Sequence, residues 1–267
     1  MIDTHAHVHF DAFAADRAAV LTRAFALGLD ALIEVNLDAS GWPAVRRLAH
    51  ADPRIFATLG IHPHAAGAGA VDALHRLARE LPDRRVVALG ETGLDGAKGY
   101  CPLEEQRQLF GAHIRLARET GLPLVIHCRE AFAETLALLD REGGGEVRGV
   151  FHCFSGGAPE VAAVCARGFA IGLGGSVTRA PETWAAILAA APRAALLLET
   201  DAPFQRPRPA GRGRNEPAFV FVTAQVLAPL LDLSVDALEV LTDRNATRLF
   251  RLPHAPAAED ERVGGGA

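Results

Sequence analysis

Six short apolar runs spread over the first 201 residues each end in a histidine or a carboxylate, and that recurrence limits the folds open to this chain. They are Ile2-Asp3-Thr4-His5-Ala6-His7, Gly60-Ile61-His62-Pro63-His64, Gly90-Glu91, Ile126-His127, Phe151-His152 and Glu199-Thr200-Asp201. If the first run is a strand, alternate side chains share a face, which places His5 and His7 on one side about 6.6 Å apart along the strand. Two imidazoles so placed can grip one metal ion. The remaining ligands must then come from strands distant in sequence, so the fold has to gather several strand ends at one point.

Between these runs, short strand-like stretches alternate with longer ones of helical spacing. After the opening strand, strands are expected over 31–36, 55–61, 86–91, 124–127, 150–152, 169–173 and 195–200. Helices are expected over 11–27, from a Ser40 cap to about residue 50, and over 72–81, 102–120, 129–141, 159–167 and 181–192, with the final helices drawn from 216–250. Pro102 suits a first helical turn, and Gly28 and Gly121 suit helix ends. Eight strands with seven intervening helices, their apolar runs buried on both faces, predict an α/β (β/α)8 TIM barrel, one domain over residues 1–253. An open doubly wound sheet would place its ligands at one switch point, whereas here they arise from six strands. Residues 254–267, with Ala, Pro, acidic residues and three glycines, are expected to be a disordered tail.

The formal net charge of −5 gives no overall basic footprint, so an anionic substrate must be held by a local patch. Cys101, Cys128, Cys153 and Cys165 lack CxxC spacing, which fits reduced thiols in a cytoplasmic protein. There is no basic stretch followed by an apolar one at the start, and no uninterrupted apolar segment of membrane-spanning length. Neither a membrane nor an obligate protein partner is expected.

Four imidazoles (His5, His7, His127, His152) and two carboxylates (Glu91, Asp201) make a nitrogen and oxygen set suited to Zn, Mn or a mixed pair, with Mg possible where water completes the shell. Six ligands exceed the needs of one tetrahedral ion. Two divalent ions per subunit, bridged by Glu91 and a water, would use them better and would favour hydrolysis. The only lysine, Lys98, lies past the fourth strand, so Glu91 is a better bridge than a carbamylated lysine.

Taken together, His5-Ala6-His7, Gly60-Ile61-His62-Pro63-His64, Gly90-Glu91-Thr92-Gly93-Leu94-Asp95, His127-Cys128-Arg129, Phe151-His152-Cys153-Phe154-Ser155-Gly156, Glu199-Thr200-Asp201-Ala202-Pro203 and Arg214-Asn215-Glu216-Pro217 resemble the signature set of the TatD family. The resemblance runs from residue 2 to about residue 250. It implies a metal-dependent hydrolase of the amidohydrolase-like barrel group, with deoxyribonuclease activity and DNA as substrate. It also implies that His5, His7, Glu91, His127, His152 and Asp201 bind the metal pair. One departure follows Leu94-Asp95, where many members carry aromatic residues and this chain has Gly96-Ala97-Lys98-Gly99-Tyr100. Base stacking at that rim is left open.

The expected catalytic residues are Glu91 as bridge, Asp201 as acceptor of the attacking water's proton, and His62 at the phosphate or leaving group. His64, Arg212 and Arg214 are the expected substrate contacts, the arginines as part of a cationic loop over 206–214 that could equally be solvated surface. Cys128 and Cys153 should point away from the ligands beside them. Gly172, Gly174 and Gly175 should relax the backbone rather than cradle phosphate, and His50, His75 and His113 should be surface or rim residues. Two other classes remain: a hydrolase of small amides, lactones or esters using the same site, and a non-catalytic metal-binding scaffold, which the intact ligand set disfavours.

Overall fold

The computed structural model describes residues 1–79 and 81–253, so the expected tail lies outside the described residues. Eight strands, β1 (Ile2–Ala6), β2 (Ala31–Glu34), β3 (Ile55–Leu59), β4 (Val86–Asp95), β5 (Leu124–Arg129), β6 (Gly149–Phe151), β7 (Ala170–Leu173) and β8 (Leu196–Leu198), form one sheet in chain order. Every adjacent pair is parallel. The sheet curls until its edges meet: the Thr4 hydroxyl donates to the Leu198 carbonyl at 2.9 Å, and the amides of His7 and Asp201 donate to the carbonyls of Ala202 and His5, each at 2.8 Å. Helices α1 (Arg17–Ala26), α2 (Trp42–Ala51), α3 (Ala70–Leu77), α4 (Leu103–Thr120), α5 (Phe132–Gly143), α6 (Ala158–Ala166) and α7 (Pro181–Ala190) each join successive strands. The last two, α8 (Val220–Leu230) and α9 (Val235–Phe250), follow β8. This is the (β/α)8 barrel expected from the sequence, as one domain. No single helix among the described residues is long and apolar enough to cross a membrane.

Because side chains alternate along a strand, each strand serves two apolar layers. Leu32, Ile55, Leu89, Ile126, Phe151, Ile171 and Leu198 join the cluster shared with the helices. Their neighbours Ile33, Phe56, Val125, Val150, Ala170 and Leu197 join a second cluster, closed by Ala246, Phe250 and Leu252 at and beyond the end of α9. That second cluster plugs the barrel and forms a floor beneath the opposite, C-terminal mouth.

Several boundaries differ from expectation because of specific side-chain and backbone contacts. The expected first helix breaks into a 3-10 turn, Asp11–Phe13, and α1. Arg17 accounts for the break, since its guanidinium donates to the carbonyls of Val8, His9 and Phe10 and folds that segment over the barrel mouth. Ser40 does not cap α2: its hydroxyl bonds Asp38 at 2.5 Å, Gly41 is the cap, and the helix starts at Trp42. Strand β4 runs past Glu91 to Asp95, and β5 continues to Arg129 before Glu130 takes a left-handed φ of 51°, so α5 starts only at Phe132. At Gly93, with φ 142°, a Cβ would collide with the carbonyl of His127, so glycine there allows β4 to lie against the ligand-bearing strand.

Candidate metal centre

The same alternation that builds the floor sets the site above it. Val125 and His127, Val150 and His152, and Leu197 and Glu199 are spaced two apart, so an apolar plug residue below is followed by a polar residue nearer the mouth. Glu91, only 3 % exposed, stands at the centre. Its Oε2 lies 3.3 Å from His5 Nε2 and 3.9 Å from His7 Nε2. Its Oε1 lies 2.8 Å from His152 Nε2, 2.9 Å from His127 Nδ1 and 3.3 Å from His62 Nε2. Asp201 completes the first side, with Oδ1 3.4 Å from His7 Nε2 and 3.8 Å from His5 Nε2. It is in the left-handed region at φ 57°, which aspartate tolerates better than most residues.

The donor set fits divalent cations. His5 Nε2 and His7 Nε2 approach to 3.1 Å, and His127 Nδ1 and His152 Nε2 to 3.5 Å. Nitrogens facing each other at such range need either a shared proton or a shared cation. Ligand atoms of His5, His7 and Glu91, of His5, His152 and Asp201, and of His62, Glu91 and His127 lie within 4.8 Å of one another in each group. Nitrogen with carboxylate oxygen suits Zn or Mn.

Outer contacts aim the rings. His7 Nδ1 donates to the Val35 carbonyl at 2.8 Å, which leaves Nε2 as the inward lone pair. His127 Nε2 faces Asp95 Oδ2 at 3.1 Å, which leaves Nδ1 for the site. The same oxygen of Asp95 takes His64 Nε2 at 2.8 Å, while Oδ1 accepts the amides of Ala97 and Lys98, each at 2.9 Å. Behind His152, Glu199 accepts the Cys153 amide and holds Oε1 4.0 Å from His152 Nδ1.

Protons can answer the negative charge in a cation's place. Burial works against charge on His7, but hydrogen bonding to Asp201 and the field of Glu91 outweigh it and raise the imidazole to about 9. His127 is likewise disfavoured by burial and is raised to about 9 by Asp95 and Glu91. His5 goes the other way, lowered by burial to about 4. Burial pushes Glu199 up to about 8.

The structure therefore brings His5, His7, Glu91, His127, His152 and Asp201 together, with His62 beside them. His64 is at the rim on Asp95. The arginines beyond β8 divide: Arg206 donates to the carbonyls of Ala210, Gly211 and Arg214 and lies 4.2 Å over Phe219. Arg214 pairs with Asp16 at 2.7 Å and Glu216 at 3.2 Å and lies over Phe13, while Arg212 is exposed. Asp95 and Glu199 had no role assigned from sequence. The signal for Asp95 was present, since Glu91, Gly93 and Asp95 share one spacing of two, but it was hidden by ending the strand at Glu91.

Two expectations need correction. His113 is fully buried rather than at the surface or rim, its Nδ1 donating to the Leu109 carbonyl at 2.9 Å and its Nε2 accepting the Ile61 amide at 3.2 Å. Gly172 and Gly175 serve close approach, not backbone relaxation: a Cβ at Gly172 would overlap the Glu199 carboxylate, and one at Gly175 the Gln205 carbonyl. Beside the site, His9 pairs with the buried Glu34 at 2.5 Å. Neither Cys128 nor Cys153 joins a ligand cluster; Cys128 bonds the Thr135 hydroxyl at 3.5 Å, and all four thiols are free.

The family model of the TatD related DNases matches residues 2–251. The uncharacterized metal-dependent hydrolase YabD of Bacillus subtilis is 33 % identical over 264 residues, covering 94 % of this chain and 99 % of the relative. A 3'-5' ssDNA/RNA exonuclease TatD of Erwinia billingiae is 36 % identical, covering 95 % and 100 %. Among solved structures, the TatD homolog YJJV of Escherichia coli superposes with a TM-score of 0.87 at 30 % identity, over 95 % of this chain and 98 % of that one.

Proposed function

The chain belongs to the family of TatD related DNases, metal-dependent hydrolases of phosphodiester bonds, and from that premise we propose that it cleaves DNA strands with two divalent ions seated on either side of Glu91. One observation carries the two-ion reading: the two oxygens of Glu91 sort the imidazoles into His5 and His7 on one side and His62, His127 and His152 on the other. A carboxylate so placed would serve an ion with each of its oxygens. His5, His7 and Asp201 would hold one ion, His127 and His152 the other, with Zn, Mn or Mg as candidates. Bound there, the ions supply Lewis acidity that acidifies water and offsets charge on the phosphate.

The chain's own groups do the rest. Asp201, 7 % exposed at the mouth, receives the proton of the attacking water. His62 turns Nε2 inward and hydrogen-bonds a phosphate or leaving-group oxygen, while its Nδ1 accepts the His64 amide at 3.1 Å and so fixes the ring. His64 keeps Nδ1 for the substrate strand. Arg212 offers its guanidinium to a phosphate, whereas Arg214 holds the loop in place through Asp16 and Glu216. Free thiols favour a reducing, cytoplasmic setting. The exonuclease names of the TatD relatives support a nucleic-acid strand as substrate.

The test is chelation followed by reconstitution with Zn, Mn or Mg, assayed on end-labelled single-stranded DNA, RNA and a panel of small esters, amides and lactones. Activity should vanish on chelation, return with metal and fall on the nucleic acids. Turnover confined to the small-molecule panel would replace the nuclease reading, and activity surviving exhaustive metal removal would end the metal mechanism.

A further inference from the structure

We propose that Tyr100 and Phe204 are stacking platforms for unpaired nucleobases, one on each flank of the metal centre; the inference rests on the nucleic-acid reading above and specifies how the strand is held. Exposed large hydrophobic side chains among the described residues are Leu27, Val71, Tyr100, Phe204 and Val240. The three aliphatic ones are scattered singly at or within helices, which is ordinary for a soluble surface. The two aromatic ones both stand at the mouth. Tyr100, the chain's one tyrosine, is 67 % exposed with its ring 4.6 Å from that of His64, on the side where Asp95 meets His127. Phe204 is 50 % exposed with its ring 6.1 Å from His7 and 6.2 Å from Phe10, on the side of Asp201.

Neither ring contributes to the core, yet the backbone under each is pinned. Asp95 holds the amides of Ala97 and Lys98 at 2.9 Å, the Cys101 thiol donates to the His64 carbonyl at 3.1 Å, and Gln106 donates to the Cys101 carbonyl at 3.0 Å. The turn carrying Tyr100 is thus fixed at both ends. Phe204 donates its amide to the Asp201 carbonyl at 2.7 Å, and its carbonyl accepts the Asn215 side chain at 2.6 Å. Rigid backbone with an exposed aromatic ring is what a stacking surface needs, because little order has to be imposed when the ligand arrives. The ligand must offer a flat π face while its phosphate reaches the metal centre. Bases of a single strand can do so, whereas bases inside a duplex are already stacked on each other. Tyr100 also closes the point left open at 96–100: the turn brings its ring back onto His64, so the rim has an aromatic surface after all.

The experiment compares wild type with Tyr100→Ala, Phe204→Ala and the double variant, with Tyr100→Phe and Phe204→Tyr as conservative controls. Substrates are a single-stranded oligonucleotide, the same strand with abasic residues at its terminal positions, and methyl p-nitrophenyl phosphate, a diester without a base. Metal content is measured in each variant. Each alanine variant should lower the ratio of kcat/KM on the base-bearing strand to that on the abasic strand by about fivefold to about a hundredfold, as expected for loss of one base–aromatic stack. The conservative variants should restore most of it. A ratio equal to wild type in both alanine variants, or equal losses on the two strands, overturns the stacking role. Wild-type protein that hydrolyses the small diester but neither strand overturns the nucleic-acid reading itself, and stacking with it.

Discussion

Both ends of the barrel collect a tight cluster of carboxylates, but only the cluster at the floor holds a chain cation other than histidine. There Asp30, Glu239 and Asp243 lie close enough together to hold an ion, yet the amino group of Met1 sits among them, 2.5 Å from Asp30, 3.3 Å from Asp243 and bonded to Glu239. Arginines at that end are similarly engaged: Arg85 donates to the carbonyls of Ala49, Asp52, Pro53 and Ile55, and Arg248 to that of Ala194. At the mouth, the ion-pair partners of Glu91, Asp95 and Asp201 among the described residues are all histidines, groups that can give up a proton to make room for a metal. An acidic cluster therefore points to a bound cation where the fold leaves its charge to exchangeable protons, and not where an ammonium already fills it.

The largest expected effect is at the bridge. On the two-ion proposal, Glu91→Ala should empty both positions, whereas His127→Ala should weaken one, and the loss of activity in Glu91→Ala should exceed the roughly hundredfold to thousandfold cost of removing a single charge-stabilising donor. Elemental analysis decides this, since wild-type stoichiometry in Glu91→Ala would remove it from that role. Next is Asp95→Asn, outside the proposed ligand set, which frees His127 to turn its other nitrogen inward; metal affinity measured by calorimetric titration should fall about 10- to 100-fold. In wild type the same titration should tighten as pH rises toward 9. His7 and His127 are raised to about 9 without metal, so at lower pH each must lose a proton before binding, at up to about a tenfold cost per proton and pH unit. Affinity flat between pH 6 and pH 9 would show that protons do not occupy the ion's place. The smallest effect belongs to the floor: Glu239→Gln should cost about 1 kcal/mol or less of stability, because that carboxylate is partly exposed, and should leave metal content at the wild-type value. Metal lost from Glu239→Gln would erase the distinction between the two ends.

The barrel was legible in the sequence because its strands are short continuous apolar runs, and the gathering of candidate ligands was legible because each follows such a run. His127 and His152 illustrate both, standing two residues beyond Val125 and Val150. What escaped has two sources. At Ser40 it is local competition, since Asp38 two residues back takes the Ser40 hydroxyl and the amides of Ser40 and Gly41; at His113 it is a distant contact, since nothing near it tells that the Ile61 amide will need an acceptor inside the core. Asp95 was missed because propensity ends a strand at the first glycine-rich stretch, while Gly93 is there to let β4 continue against β5.

The space that Gly172 leaves for Glu199 has an evolutionary consequence. An alanine at 172 would intrude on the carboxylate that receives the Cys153 amide behind His152, so that substitution is open to the lineage only after position 199 has become smaller. A smaller residue at 199, in turn, leaves a hollow behind a metal-facing histidine until 172 grows to fill it. Each single step passes through a worse protein than either end point. The two positions, one in β7 and one just past the end of β8, are therefore expected to change as a pair, with glycine persisting at 172 for as long as glutamate persists at 199.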